Sequence, residues 1–444
     1  MFRFATWCFL FGSGIITTAV DSLPTARADN GPAFDIVIRG GLIVDGTGGK
    51  ARRADLGIRG DTIAAIGDLS QAKAGRTIDA TNLVVAPGFI NMLSWASDSL
   101  IADGRGQSDI LQGVTLEVMG EGWSYGPYNE ALKKRMIREQ GDIKYPIPWT
   151  TLSQYLEHLV ERGVSPNVAS FVGATTVRAY VVGFDNRKAT KEELDRMCEL
   201  VRHAMEEGAL GVASALIYAP GFYADTEELI ALARVAAKYD GTYISHLRSE
   251  GNRLLEAVDE FLRIAREADI EAQIYHLKAA GKANEKKLDQ VIAKIEAARG
   301  EGLGISADIY TYTAGATGLD AAMPPWVQEG GLAEWKKRLQ DPEIRKRVAR
   351  EMRTPTDQWE NLLLMAGSPE RVILVGFKSD KLKPLTGKTL AEVAKLRGTS
   401  VEETAMDLVV EDDSRIECVY FLMSEENVKK KICLPWVSIC SDAG

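Results

Sequence analysis

Histidine, cysteine and long apolar segments are all scarce in this chain of 444 residues. Its five cysteines are too few for a small disulfide-rich scaffold. No apolar run after Val20 reaches the roughly 20 residues that a membrane-spanning helix needs. The formal net charge is −9 and the chain has no basic stripe, so nucleic acid is an unsuitable partner. The residues present, 45% apolar and 26% charged, are typical of a globular protein with a large core.

Residues 1–28 have the layout of a secretory signal peptide. Arg3 gives a positive start, Phe4–Val20 is mostly apolar, and Ala26-Arg27-Ala28 supplies a small-x-small cleavage site. We predict cleavage after Ala28 and export, to the periplasm or out of the cell, with no stable membrane insertion afterwards. An uncleaved membrane anchor is the alternative, although the apolar run is short for a spanning helix.

Residues 29–87 have the pattern of a small β domain. Short apolar runs are separated by Gly40-Gly41, Asp45-Gly46 and Gly60-Asp61, which are dipeptides typical of turns. We therefore expect β-hairpins at these dipeptides.

The pattern changes after Pro87-Gly88, where short apolar runs begin to alternate with amphipathic helical stretches. Strands that alternate with helices indicate a parallel sheet, and eight of them indicate a (β/α)8 barrel within residues 88–444. Residues 320–435 are too many for one crossover, so we interpret them as a helical insertion, with helices over Trp335–Met352 and Thr389–Asp412. The eight candidate strands are Phe89–Leu93, Val114–Met119, Val168–Val172, Leu210–Leu216, Tyr243–His246, Ala272–His276, Leu303–Ile309 and Val437–Cys440.

Two of the four histidines end strand runs in matching local patterns. Ser245-His246-Leu247-Arg248 and Tyr275-His276-Leu277-Lys278 lie one βα unit apart. Adjacent parallel strands present equivalent residues at the same end of a barrel, so the two imidazoles can share a metal ion, and imidazole suits zinc. The alternative is that both histidines cap strands through hydrogen bonds. His158 and His203 lie in helical patterns, which favours surface or structural roles.

Two carboxylates follow strand runs at the same predicted end of the barrel. Glu121 lies between Gly120 and Gly122, which allow the backbone to turn there. Asp442 follows the last strand run. The alternative for Glu121 is a surface loop residue, and the alternative for Asp442 is an unimportant residue near the chain end. Their predicted position at the same barrel end as the histidines favours a role in a functional site.

Arg248 and Lys278 each lie two residues after a histidine, a spacing that places side chains on one side of an extended chain. Cations beside a metal favour a substrate that carries a carboxylate. Structural ion pairs are the alternative for both residues.

The chain also resembles the D-aminoacylase (N-acyl-D-amino-acid deacylase) branch of the amidohydrolase superfamily, from about Phe34 to Gly444. Each motif alone is weak, but their order along the chain is specific for the superfamily. The motifs are Asp35-Ile36-Val37-Ile38-Arg39-Gly40-Gly41, Asp45-Gly46-Thr47-Gly48, Val85-Ala86-Pro87-Gly88-Phe89-Ile90, Gln112-Gly113-Val114-Thr115, Ala307-Asp308-Ile309-Tyr310-Thr311-Tyr312-Thr313-Ala314, Pro324-Pro325-Trp326 and Ser441-Asp442.

The resemblance implies a distorted TIM-like (β/α)8 barrel joined to a small β domain, and hydrolysis of the amide bond of N-acyl-D-amino acids. In the matching positions, it implies that His246 and His276 bind metal and that Asp442 is the catalytic aspartate. Lys278 and Tyr310 match positions that contact the substrate carboxylate and its surroundings. Glu121 stands where many members place a bridging cysteine, and a carboxylate is a suitable zinc ligand there.

The chain departs from this family at two further places. Leu93 and Trp95 stand where the superfamily carries a His-x-His pair, and neither side chain can ligate a metal. We therefore expect one zinc ion, held by Glu121, His246 and His276, rather than two. The family's chains also continue past the position of Gly444, which implies a C-terminal truncation and, with it, an exposed apolar seam.

These residues predict metal-assisted amide hydrolysis of a small N-acyl amino acid. The zinc ion would lower the pKa of a bound water, and Asp442 would take a proton from that water and return it to the leaving amine. Lys278, with Arg248 and Tyr310, would hold the substrate carboxylate. Two alternatives remain: another amidohydrolase acting on cyclic amides or dipeptides, and an inactive truncated homologue that binds no metal tightly.

Overall fold

The computed structural model describes residues 33–444, which fall into two units divided between Pro87 and Gly88. The predicted signal peptide, residues 1–28, lies outside the described residues. Among residues 33–444, no helix combines the length and the apolar character needed to cross a membrane.

The first unit is a five-stranded sheet in which β3, β2, β1 and β4 are neighbours in that order and β5 also pairs with β1. The predicted hairpin at Gly60-Asp61 joins β2 to β3. The turn predicted at Gly40-Gly41 is wrong, because Gly40, with a φ of 69°, forms a bulge at which the pairing of β1 with β2 shifts and then continues. The strands are β1 (Phe34–Ile43), β2 (Arg52–Arg59), β3 (Thr62–Gly67), β4 (Ala74–Asp79) and β5 (Val84–Val85).

The second unit is built around parallel strands that pair in chain order. Two of them, β8 and β9, are halves of one strand interrupted only at Phe171, whose amide donates to the Met119 carbonyl at 2.9 Å. The strands are β6 (Phe89–Asn91), β7 (Val114–Met119), β8 (Asn167–Ser170), β9 (Val172–Gly173), β10 (Gly211–Ala215), β11 (Thr242–His246), β12 (Glu271–Ile274) and β13 (Ile305–Ile309).

Amphipathic helices follow these strands and bury one face against them. In α8, Leu254, Val258, Phe261 and Ala265 recur at helical spacing and are all buried. Thr190 begins α6 with a capping box, which satisfies amide groups at the helix start. The helices are α1 (Ser97–Ala102), α2 (Gln107–Ile110), α3 (Glu130–Glu139), α4 (Leu152–Arg162), α5 (Ala174–Val181), α6 (Lys191–Glu206), α7 (Thr226–Ala237), α8 (Leu254–Ala268) and α9 (Lys287–Gly300).

The segment between β13 and the last strand is more than the helical insertion that we expected. Each of the two expected helical ranges is divided into two helices, and the segment also contains a three-stranded antiparallel sheet, in the order β14, β16, β15. Its strands are short runs between helices, and only pairing with each other, across about a hundred residues of chain, identifies them as a sheet. The elements are β14 (Ala314–Gly318), α10 (Leu332–Arg338), α11 (Pro342–Arg353), α12 (Leu362–Ala366), β15 (Val372–Gly376), α13 (Leu390–Arg397), α14 (Val401–Asp412) and β16 (Glu417–Phe421).

The chain then returns through α15 (Glu425–Ile432) to β17 (Val437–Ile439), which pairs in parallel with β13. A parallel bridge from Ser94 to Ala443 joins the end of β17 to the end of β6, so the strands close into a ring. The predicted eight-stranded barrel is confirmed, with β8 and β9 counted as one strand. On the two strands that flank the closure, Phe89, Ile90 and Ile439 are each more than half exposed.

Candidate metal centre

The ends of three barrel strands bring Glu121, His246 and His276 together at the C-terminal end of the barrel, with β11 and β12 adjacent and β7 on another part of the ring. Glu121 lies two residues beyond β7, His246 is the last residue of β11, and His276 lies two residues beyond β12. All three side chains are buried. They are the only group of three or more His, Cys, Asp or Glu residues among residues 33–444 whose ligand atoms lie close enough to share a metal ion. We call these three residues the metal triad.

The two glycines beside Glu121 are required by the backbone at that point. Gly120 and Gly122 have φ values of 110° and 64°, which side-chain-bearing residues rarely adopt. A Cβ atom at Gly120 would lie 2.5 Å from the Phe171 carbonyl oxygen, and one at Gly122 would lie 2.7 Å from the Cβ of Ala215. The Gly-Glu-Gly sequence therefore allows the chain to turn tightly at the end of β7 and to direct the carboxylate of Glu121 to the histidines.

One oxygen of Glu121 contacts both imidazoles. Glu121 Oε1 lies 3.0 Å from His246 Nδ1 and 2.9 Å from His276 Nε2, and the two rings are nearly perpendicular, with centroids 4.6 Å apart. Ligand atoms about 2.1 Å from a tetrahedral zinc ion lie roughly 3.4 Å from one another, so small side-chain movements accommodate an ion. A buried carboxylate with two imidazoles is a donor set that zinc prefers, and the triad fits this metal.

The charges of the triad are coupled. Burial raises the pKa of Glu121, but the adjacent imidazoles outweigh that effect and hold the pKa well below its usual value. Burial also lowers the pKa of His246. Burial and Lys278 lower the pKa of His276 as well, yet the Glu121 and Glu250 carboxylates outweigh them and raise it. Two buried carboxylates thus favour a positive charge between them at the imidazoles, and a metal ion supplies such a charge.

Glu250 is a fourth site residue, which the sequence analysis missed. Its Oε1 lies 3.1 Å from His276 Nδ1 and its Oε2 lies 3.6 Å from His246 Nε2, on the ring nitrogens that Glu121 does not contact. Lys278 Nζ donates to Glu250 Oε1 at 3.1 Å. The signal that could have found Glu250 is the glycine that follows it, since Glu121 has the same Glu-Gly sequence after a strand end.

Asp308 in β13 supports the backbone of the triad. Its Oδ1 accepts the amide hydrogen of His276 at 2.7 Å, and its Oδ2 accepts from Gln273 Nε2 at 2.6 Å. His276 has a φ of 33°, which is unusual for a residue other than glycine. In the sequence, Asp308 stands out only as part of the Ala307-Asp308-Ile309-Tyr310 motif, which by itself gives it no role.

The predicted catalytic residue, Asp442, lies within electrostatic reach of the triad. Burial raises its pKa to about 7, since the added effect of the Glu121 carboxylate offsets the lowering by His276 and Lys278. Its Oδ1 accepts a hydrogen bond from Trp95 Nε1 at 3.1 Å. This places Trp95, which the sequence analysis named only as a residue unable to bind metal, in direct contact with Asp442.

Tyr310 and Lys278, the predicted substrate-binding residues, lie beside His276. The Tyr310 ring centroid is 6.2 Å from that of His276, and the Lys278 ammonium is 5.4 Å from the Tyr310 centroid. The Tyr310 hydroxyl is buried and has no hydrogen-bond partner among residues 33–444, so it remains free to donate to a bound molecule.

Arg248 is not brought to the triad, which corrects its predicted part in substrate binding. Its guanidinium is held in a two-pronged ion pair with Glu260, at 2.7 and 2.9 Å, and donates to the carbonyl oxygens of Phe222 and Ala224. Arg248 follows His246 at the same spacing at which Lys278 follows His276. The N–H groups of its guanidinium, however, are taken up by the ion pair with Glu260 and by the two carbonyl oxygens. His158, beside Trp149, and the exposed His203 also lie outside the site.

Comparison with known proteins gives D-aminoacylases and N-acyl-D-amino-acid deacylases among the relatives. No family model matches the chain. The D-aminoacylase of Alcaligenes xylosoxydans xylosoxydans is 32% identical over 421 residues, which cover 94% of this chain and 76% of the relative. The N-acyl-D-glutamate deacylase of the same organism is 36% identical over 290 residues, which cover 64% of this chain and 58% of the relative.

Solved structures agree with these relatives. A D-aminoacylase crystal structure, described as defining a novel subset of amidohydrolases, matches with a TM-score of 0.74 at 31% identity, covering 92% of this chain and 76% of the other. A second D-aminoacylase structure, with the same score, identity and coverage, concerns a binuclear metal centre with one-metal activation and second-metal attenuation. The N-acyl-D-glutamate deacylase of Bordetella bronchiseptica, in complex with zinc and a phosphonate that mimics the tetrahedral intermediate, matches at 0.73 and 28% identity, covering 92% and 76%.

Proposed function

This chain belongs to the D-aminoacylase family of amidohydrolases, and from that premise we propose that it hydrolyses the amide bond of N-acyl-D-amino acids with the help of one zinc ion. The products are a D-amino acid and a carboxylic acid. The observation that carries the proposal is the buried metal triad at the C-terminal end of the barrel, the end at which enzymes of this fold carry their sites.

Glu121, His246 and His276 would hold the zinc ion. When bound, zinc polarises the amide carbonyl and lowers the pKa of a water molecule, which makes that water a nucleophile near neutral pH. Glu250 lies on the other side of both rings, 3.1 Å from His276 Nδ1 and 3.6 Å from His246 Nε2, so its negative charge would support the imidazoles from the side that faces away from the ion. Asp308 fixes the backbone of His276 in the same way, through its amide hydrogen.

Asp442 would act as the general base and then as the general acid. A carboxyl group with a pKa of about 7 can accept the proton of the attacking water and still release it to the leaving amine at the same pH. An ordinary surface aspartate would be a weaker base by about three pKa units. The hydrogen bond from Trp95 holds one oxygen of Asp442, and among residues 33–444 the other oxygen accepts no hydrogen bond that would compete with the proton transfer.

Lys278 and Tyr310 would bind the carboxylate of the substrate. The Lys278 ammonium is buried, its pair with Glu250 positions it, and it lies over the Tyr310 ring. The free Tyr310 hydroxyl supplies a second donor. A buried cation and a neutral donor beside the metal favour a substrate with a carboxylate close to the scissile amide, as in an N-acyl amino acid.

Export is a further part of the proposal and rests on sequence alone. The positive start, the apolar run and the Ala26-Arg27-Ala28 cleavage site support removal of residues 1–28 during secretion. Expression of the full chain followed by N-terminal sequencing of the secreted protein tests this point. A mature protein that begins at Met1, or that stays attached to the membrane fraction, would contradict it.

The experiment that tests the function combines metal analysis with a substrate panel. Elemental analysis should find about one zinc per folded chain, and replacement of His246 with alanine should abolish it, while His203→Ala, an exposed histidine outside the site, should retain it. The zinc-loaded protein should hydrolyse N-acetyl-D-amino acids in preference to their L-enantiomers. Equal rates on both enantiomers, or turnover of cyclic imides only, would contradict the deacylase assignment, and a folded chain without metal would favour an inactive homologue.

A further inference from the structure

The first and last strands of the barrel are fastened together around Asp442. The Asp442 amide donates to the Leu93 carbonyl at 2.9 Å, and the Trp95 amide donates to the Ala443 carbonyl at 2.9 Å. The Trp95 indole then donates to Asp442 Oδ1 at 3.1 Å. Asp442 is therefore held through its main chain and through its carboxylate by residues 93–95, shortly after the end of β6.

This segment supplies no metal ligand. The Leu93 side chain is fully buried and apolar, and an indole nitrogen can only donate a hydrogen bond. Within residues 33–444, Asp442 belongs to no group of His, Cys, Asp and Glu side chains close enough to hold an ion. A carboxylate so near a metal centre needs a positive partner or a hydrogen-bond donor, and here the donor is a neutral N–H group.

We propose that the Trp95 indole stands in place of a second metal ion at Asp442, so that the centre holds one zinc ion only and excess zinc does not attenuate its activity. This inference rests on the proposed function, and it separates this chain from the D-aminoacylase whose second metal attenuates it. Trp95 is a positioning residue in this scheme, because it acts through the Asp442 carboxylate.

The indole serves this purpose for two reasons. It donates one hydrogen bond in a fixed direction, which leaves the second oxygen of Asp442 available for the proton of the attacking water. It also carries no charge, so it does not lower the basicity of Asp442 as strongly as a divalent cation would. A second metal bound to the same carboxylate would occupy an oxygen and weaken the base.

The test measures metal content and turnover separately. Wild-type protein incubated with a large excess of zinc and then desalted should keep one equivalent, and its turnover should not fall as zinc is added. Trp95→Phe keeps the ring and removes the N–H, so it should still bind one equivalent, with kcat lowered about tenfold and KM unchanged. Trp326→Phe is the matched control, since its indole donates to Glu351 Oε2 at 2.7 Å outside the site, and it should match the wild type.

The converse variant restores ligands. Leu93→His combined with Trp95→His should gain a second zinc equivalent and should lose activity in excess zinc. Two equivalents on the wild-type chain, an unchanged kcat in Trp95→Phe, or one equivalent on the folded double variant would each overturn the inference. If the histidines prevent folding, as circular dichroism would reveal, the wild-type and Trp95→Phe results decide it. Failure of the proposed substrate would leave the zinc counts valid, so the two proposals can fail separately.

Discussion

Replacing Asp308 with asparagine should weaken zinc binding and leave the metal-free fold largely intact. Asp308 is fully buried, and its Oδ1 accepts the His276 amide hydrogen at 2.7 Å. His276 has a φ of 33°, in the left-handed region, which costs an ordinary residue about 1–2 kcal/mol. We expect the hydrogen bond that the His276 amide donates to the Asp308 carboxylate to compensate for much of this cost and so to hold the imidazole in its position toward Glu121.

The magnitude follows from the exchange of a charged acceptor for a neutral one. A hydrogen bond to a carboxylate contributes about 1.5–3 kcal/mol, and one to an amide oxygen contributes about 1 kcal/mol. A loss of about 1–2 kcal/mol corresponds to a zinc Kd raised roughly tenfold. Burial raises the pKa of Asp308, so its charge is itself costly in the folded state, and asparagine removes that cost. The free energy of unfolding of the metal-free chain should therefore change little.

The assay is zinc competition against a chromogenic chelator, with urea unfolding of the metal-free protein alongside. Ser306→Ala is the matched control, because Ser306 lies two residues earlier in β13 and contacts Gln273 at 3.3 Å but no metal ligand. Its zinc affinity should equal that of the wild type. Wild-type zinc affinity in Asp308→Asn would refute the reasoning, and so would a loss of unfolding free energy large enough to account for the weaker binding.

Three further predictions follow from buried charges and from the metal. Burial lowers the pKa of Lys431 from 10.5 to about 7. Between these two pH values the unfolded chain binds a proton that the folded chain has lost. The free energy of unfolding should therefore rise with pH over this range, by up to about 1.4 kcal/mol per pH unit. Lys431→Met should abolish that rise in urea unfolding measured across the range, and an unchanged slope would contradict the assignment. Arg178→Met should lower the free energy of unfolding by about 3–5 kcal/mol, because it leaves the buried Glu228 without its partner, and Arg178→Met with Glu228→Gln should recover part of that loss. Removal of zinc by a chelator should lower the free energy of unfolding by about 2.7 kcal/mol relative to protein with free zinc at a hundred times Kd, and an unchanged thermal midpoint would mean that the folded state binds no zinc.

The barrel was predictable from sequence because its strands are local features. Each is a short apolar run that ends at a glycine, a polar residue or a helix start, and the structure places strands at all eight predicted runs. The same local logic failed at Gly40-Gly41, where a turn-forming pair sits inside a strand as a bulge. It also missed the sheet of the insertion, since the partners of β14 lie far along the chain and a single short strand carries little signal.

For the site, the sequence by itself determined which residues stand at the strand ends: Glu121 between its glycines, and His246 and His276 in their repeated pattern. Parallel strands in chain order must present such residues at one end, so their meeting needed no knowledge of the packing. Tertiary structure alone decided which of the two cations, Arg248 or Lys278, lies beside the metal triad. Arg248 follows its histidine as Lys278 does, but Glu260 on α8 binds its guanidinium, whereas Glu250 directs Lys278 to the site.

The contacts that support the metal triad and Asp442 form only because the barrel closes. Asp308 reaches the His276 amide because β13 lies beside β12, and the Trp95 indole reaches Asp442 because the first strand meets the last. These contacts join residues between 32 and 347 positions apart. Sequence patterns record the periodicity of neighbouring residues, whereas the angle at which one side chain meets another depends on how all the strands tilt and close around the core.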